Sequence, residues 1–181
     1  MVEHGVRIEE REGLAMVQVS AWADSAEAVC VTIAELLGVR PAQQPNSAAV
    51  AGQTRILWLG PLRWLVVMPN TPNTPGRDLA AQLRALLPAA AAAVVDLGAG
   101  RRVFAVSGPR ARDLLAKQLP IDLHPAAFPP GRCVQGSMAH VGVLVHATAN
   151  SAYELFVYRA FAQHFREMLE DAAAEYADAV R

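Results

Sequence analysis

Lysine is almost missing: Lys117 is the only one in 181 residues, and arginine supplies the rest of the Lys and Arg total. Arginine holds its proton throughout the physiological range, so Schiff-base or tunable-base chemistry would rest on that single lysine. Cysteine is scarce as well. Cys30 and Cys133 lie far apart without C-x-x-C spacing, which argues against a disulfide framework and for two free thiols in a reducing cytoplasm. Charge of either sign is balanced to a net −1 with no long basic or acidic run, so the electrostatic footprint of a nucleic-acid binder is lacking. No segment offers about 18 uninterrupted apolar residues, the length a membrane-spanning helix needs. Residues 1–11 are charged and lack the apolar stretch of a signal peptide. The expectation is a cytoplasmic protein with neither membrane nor nucleic acid as partner.

What the chain does have is apolar mass. Hydrophobic residues make up 53% and charged residues 18%, one above and the other below the usual soluble domain. A chain of this length buries roughly 70% of its unfolded surface and needs no metal or disulfide for a core. Low charge with abundant apolar residues also suits a protein that hides surface against a partner.

Residues 14–20 (LAMVQVS) alternate as a half-buried strand does. Asp24 is placed to cap a helix running to about Leu37, where Gly38 stops it. A short strand is expected at 48–51. Two more, at 56–59 and 64–68, flank the turn Gly60-Pro61-Leu62-Arg63 and form a hairpin. Residues 70–76 carry Pro72 and Pro75 and read as an exposed loop. Leucines at 79, 83, 86 and 87 predict a helix over 77–87, and the alanines at 89–93 read as either helix tail or linker. The order then repeats: strand 103–107, a helix opened by Ser107-Gly108-Pro109, and a loop 120–132 holding Pro120, Pro125, Pro129 and Pro130. Strands at 138–146 and 153–158 follow. A final helix, 160–177, puts Phe161, Phe165, Met168, Leu169, Ala172 and Tyr176 on one stripe. The expected fold class is therefore α+β, with two related strand-helix-strand-strand-helix halves, 1–93 and 94–181, forming one compact unit.

Candidate chemistry is thin. His140 and His146 share a strand face by parity, but lie about 20 Å apart when extended at roughly 3.3 Å per residue; adding Cys133 matches no zinc spacing. A triad of Ser107, His124 and Asp122 competes with a simpler role for Ser107 as a helix cap, and no G-x-S-x-G elbow is present. A Cys133–His140 thiolate pair needs a tertiary coincidence. LGAGRR, residues 97–102, is the one Gly-rich turn beside paired arginines. It offers amides and guanidinium forks to a carboxylate or phosphate, yet leads into a strand and lacks the full G-x-G-x-x-G, so a tight turn with solvated arginines is the simpler reading. No catalytic, cofactor-binding or metal residue is assigned. Trp58 and Trp64 flank the hairpin turn and fit either the core or an interface. A proline-stiffened loop of this length in a compact domain usually has a task, and Phe128 and Arg132 would supply its contacts. The candidate interface residues are thus Arg63, Trp64, Phe128 and Arg132.

SGPRARDLLAK followed by IDLHPAAFPPGRC and Gln135, together with LWLGPLRWLVV and YELFVYRAFAQHFREMLEDAAAEY, resembles the gamma subunit of heterotetrameric sarcosine oxidases over about residues 56–176. The family is similar in fold to the folate-binding domain of glycine-cleavage aminomethyltransferases. Two positions depart from its pattern: Arg63 stands where an acidic residue is usual, and DLGAGRR replaces a segment with serine and threonine. The resemblance implies an assembly subunit without a redox group of its own, packed mainly on the alpha subunit beside beta and delta, in a complex carrying FAD, FMN and NAD and using tetrahydrofolate. Its alternatives are a stand-alone folate-binding or one-carbon-transfer protein, with Asp96 as its acid, and the equivalent subunit of N-methylglutamate dehydrogenase or another amine demethylase.

Overall fold

The computed structural model describes residues 5–70 and 78–176, so the proline-bearing part of the expected 70–76 loop and the tip of the last helix lie outside the described residues. The chain divides into two units: Gly13–Ala99, and the described residues on either side of that segment.

Strand β1 (Arg7–Arg11) opens the chain and belongs to the outer unit. The inner unit runs β2 (Leu14–Ala21), α1 (Ala26–Leu37), β3 (Ala48–Ala51), β4 (Thr54–Gly60), β5 (Arg63–Pro69), α2 (Leu79–Leu86) and β6 (Ala92–Asp96). Its sheet is antiparallel throughout, in the order β3-β4-β5-β2-β6. Alternation in β2 sends Ala15, Val17, Val19 and Ala21 to one face, where they meet Val29, Cys30 and Ile33 of α1 and Leu79 and Leu83 of α2. Gly38 ends α1 at φ 68°, its amide donating to Ala34 O at 2.9 Å; a left-handed terminus of this kind favours glycine.

The outer unit continues with β7 (Arg101–Ser107), α3 (Ala111–Ala116), β8 (Cys133–Met138), β9 (Val141–Ala149), β10 (Ala152–Tyr158) and α4 (Ala162–Ala174). Its sheet order is β1-β7-β10-β9-β8. Replacing each strand by its counterpart turns one order into the other: β7 for β2, β8 for β3, β9 for β4, β10 for β5. The edge position that β6 fills in the inner sheet is taken in the outer sheet by β1. Ile8 of β1 packs on the core of Phe104, Val106, Leu114, Val145, Leu155, Phe165 and Leu169, while Arg7, Glu9, Glu10 and Arg11 keep that exposed edge charged, which discourages further strand pairing. The mixed α+β class and the duplicated order agree with the sequence.

Several local expectations change. Asp24 does not cap α1: it sits in a 3-10 turn, Ala23–Ser25, and the residue preceding the helix is Ser25, whose hydroxyl donates instead to Ala91 O at 2.7 Å. The alanine run ends in β6, because Ala92 and Ala93 pair with Ala21 and Ser20. Residues 138–146 are not one strand. Ala139 and His140, at φ 48° and 66°, form the tip of the β8–β9 hairpin. Ser107 closes β7, and α3 begins after Arg110 without a side-chain cap. Phe161 belongs to a 3-10 turn before α4 and is 49% exposed, off the buried stripe. No helix among the described residues is long and apolar enough to cross a membrane.

Candidate functional site

The hairpin that removes His140 from the strand brings a different trio into line. In register, Cys133 of β8 faces His146 of β9, which faces Glu154 of β10. His146 Nδ1 lies 3.5 Å from Glu154 Oε2, and neither ring nitrogen makes a hydrogen bond. All three are buried, His146 to 2% exposure, so a substrate has no path to the thiol. Among the described residues no three His, Cys, Asp or Glu side chains stand together as metal ligands. Cys30 is equally withdrawn: burial pushes its thiol pKa up by more than the charge of Arg40 lowers it, and a protonated thiol is a poor nucleophile.

The imagined triad dissolves into local bonds. Asp122 Oδ1 accepts the amide of His124 at 2.8 Å, and His124 Nδ1 accepts that of Ala126 at 3.3 Å. Both side chains serve to shape the loop. Lys117 donates to Glu175 at 2.5 Å, and this bond raises the lysine pKa, leaving it charged and unsuited to base chemistry.

The Gly-rich turn borders a concavity of the inner unit. Asp96 Oδ1 accepts the Gly98 amide at 2.9 Å, and a β-carbon on Gly98 would stand 3.3 Å from the same oxygen. The acid therefore fastens the turn. The surrounding hollow, about 570 Å³, is lined by Leu14, Ala15, Asn70, Asp78, Leu79, Arg84 and Asp96 among others. Arg84 Nε is engaged with Val94 O at 3.3 Å. A folate's glutamyl carboxylates need cationic partners, and this lining carries one cationic side chain, Arg84, against two carboxylates, Asp78 and Asp96, so it fits that group poorly.

Of the four candidate interface residues, two are core. Trp64 is 2% exposed, its indole N–H donating to Ala42 O at 2.8 Å. Phe128 is 7% exposed and packs into the outer unit's core. Their rings have little surface left for a partner. Arg63 is exposed, reaching back to Leu59 O at 3.4 Å. Arg132 is partly buried where its loop is bonded to β9, through Gly131 N to Ala147 O (2.8 Å) and Ala147 N to Arg132 O (2.9 Å).

A surface that sequence reasoning passes over lies at the end of β10. Tyr158 and Phe161 are 52% and 49% exposed. Arg101, opposite Tyr158 across the β7–β10 pair, places its guanidinium 4.8 Å from the tyrosine ring centre. Desolvation lowers the Arg101 pKa, and its buried Nε has no hydrogen-bond partner. Exposed aromatics beside arginine are a composition that interfaces favour.

A family model described as "Sarcosine oxidase, gamma subunit family" matches residues 20–175. The sarcosine oxidase subunit gamma of an Arthrobacter species is 35% identical over 161 residues, 88% of this chain and 77% of that one. The same subunit of Corynebacterium sp. strain P-1 is 35% identical over 146 residues, 80% of this chain and 70% of that one. Among solved structures, a chain of the heterotetrameric sarcosine oxidase of Corynebacterium sp. U-96 superimposes with a TM-score of 0.87 at 27% identity, covering all of this chain and 90% of that one. The glycine cleavage aminomethyltransferase T of Bartonella henselae shares the fold, with a TM-score of 0.63 at 14% identity over 92% of this chain and 46% of that one.

Proposed function

The chain belongs to the sarcosine oxidase gamma subunit family, and from that premise we propose that it is a non-catalytic assembly subunit of a heterotetrameric oxidase that demethylates sarcosine. The observation that carries this reading is the superposition, at a TM-score of 0.87, over the whole of this chain and 90% of a chain from such an oxidase. The side chains add support: both thiols are buried, the lysine is tied to Glu175, and Asp96 is committed to its own turn.

In this reading the redox chemistry belongs to the larger subunits, which hold FAD, FMN and NAD and hand the released one-carbon unit to tetrahydrofolate. The alpha subunit is the main neighbour, with beta and delta completing a cytoplasmic complex. Arg63 and Arg132 remain candidates for contact, and Trp64 and Phe128 act by holding the two cores beneath them. Co-expression of a tagged chain with the other three subunits tests the reading. Co-purification of all four with flavin absorbance supports it, whereas a chain that emerges alone and binds tetrahydrofolate would replace it with the folate-binding alternative.

A further inference from the structure

Resting on the subunit reading above, we propose that the surface built from Arg101, Tyr158, Arg159 and Phe161 docks a carboxylate-bearing segment of a partner subunit. Charge accounting within the outer unit points to that chemistry. Arg102 and Arg166 share Glu10, Arg102 Nε lying 3.3 Å from Oε1 and Arg166 Nη2 bonding Oε2. Arg101 and Arg159 form no salt bridge among the described residues. Arg101 is the telling one. It is partly buried, its Nε has no hydrogen-bond partner, and a desolvated guanidinium gains most from a planar, two-pronged acceptor such as a carboxylate.

The aromatics supply the apolar half of the site. Residues 158–161 are exposed without interruption. Tyr158 is held by the guanidinium stacked at 4.8 Å, and the turn carrying Arg159 is anchored by its amide to Gly100 O at 2.9 Å. These two contacts fix Tyr158 and the turn backbone before binding, which lowers the entropic cost of docking. None of the concavities at Asp96, Tyr176 or His140 is lined by these residues; an exposed shelf of this kind suits a protein segment better than a small carboxylic acid, which needs enclosure.

The test is co-expression with the other three subunits, comparing the natural chain with Arg159→Glu, with the double variant Y158S/F161S, and with Arg101→Gln. The first two changes fall on exposed side chains, and far-UV circular dichroism with thermal melting checks that each variant folds. Partner retention, titrated after purification, is expected to weaken by about ten- to thirty-fold for each, as removal of an interface hot spot does. Raising salt from about 0.05 to 0.5 M should weaken the natural complex more than the R159E complex, since added salt shortens the screening length. Folded variants that hold their partners as tightly as the natural chain would overturn the docking surface while leaving the subunit reading intact. A natural chain that captures no partner would sink the subunit reading itself. An isolated chain that dimerises, and becomes monomeric in Y158S/F161S, would make a second copy the occupant and also overturn the proposal.

Discussion

Replacing Trp64 by phenylalanine separates a core role for this residue from an interface role, and the structure supplies the control. Two tryptophans each donate an indole N–H to a backbone carbonyl at nearly equal lengths, Trp64 to Ala42 at 2.8 Å and Trp22 to Ala89 at 2.9 Å. Their surroundings differ: Trp64 is 2% exposed and Trp22 48%. In W64F the Ala42 carbonyl loses its donor in a part-buried site, a loss of about 1–3 kcal/mol. The missing ring atoms leave a cavity worth about 1 kcal/mol more at roughly 24 cal/mol per Å³. In W22F water can replace the donor and no cavity forms, so the loss stays below about 1 kcal/mol. For a chain of this size each kcal/mol moves the melting temperature by about 2–4 °C, which predicts a fall of about 4–16 °C for W64F and less than about 4 °C for W22F. Urea titration followed by circular dichroism gives the same comparison as a free energy. Equal losses in the two variants, or a W64F chain that melts like the natural one, would refute the burial argument.

Phe165→Ala removes a fully buried ring packed 5.7 Å from Phe104, and urea unfolding should show a loss of about 3–5 kcal/mol. At Gly108, φ is 119° and a β-carbon would meet Gly5 O at 2.8 Å; Gly108→Ala should therefore destabilise by about 1–3 kcal/mol, measured by thermal melting. Lys117 lowers the Glu175 pKa chiefly through their hydrogen bond. The contribution is present above the unfolded carboxylate pKa and lost as pH falls through the lower folded value. Melting curves of Glu175→Gln should thus differ from the natural chain at neutral pH and converge with it in acid. Cys30 and Cys133 are both buried, so a thiol reagent should titrate neither until the chain is unfolded.

Much of the fold is legible in the sequence because its signals are local. The alternation of LAMVQVS needs only one buried face to become β2, and Gly60-Pro61 marks the β4–β5 reversal wherever that hairpin sits. The α+β class and the repeat follow from element order alone. What is not legible depends on distant partners. Nothing within Arg7–Arg11 says that this strand completes a sheet whose other strands lie between Arg101 and Tyr158; the edge beside Val106 decides that. Alanines favour helices by propensity, yet Ala92 and Ala93 become a strand because β2 presents a free edge to them. Phe161 lies at helical spacing from Phe165, Met168 and Leu169, and only the 3-10 turn Arg159–Phe161 rotates it to the surface. The same limits govern the site. Trp64 and Phe128 carry the side chains that interfaces prefer, but burial belongs to tertiary packing, and the exposed aromatics turn out to be Trp22, Tyr158 and Phe161.

The most direct measurement for the central claim is sarcosine oxidation by the oxidase reconstituted with and without this chain, beside the chain alone. The expected result is that the chain by itself shows no turnover and no flavin absorbance, and that omitting it prevents recovery of the stable four-subunit complex. Turnover by the isolated chain, or full assembly and activity in its absence, would contradict it.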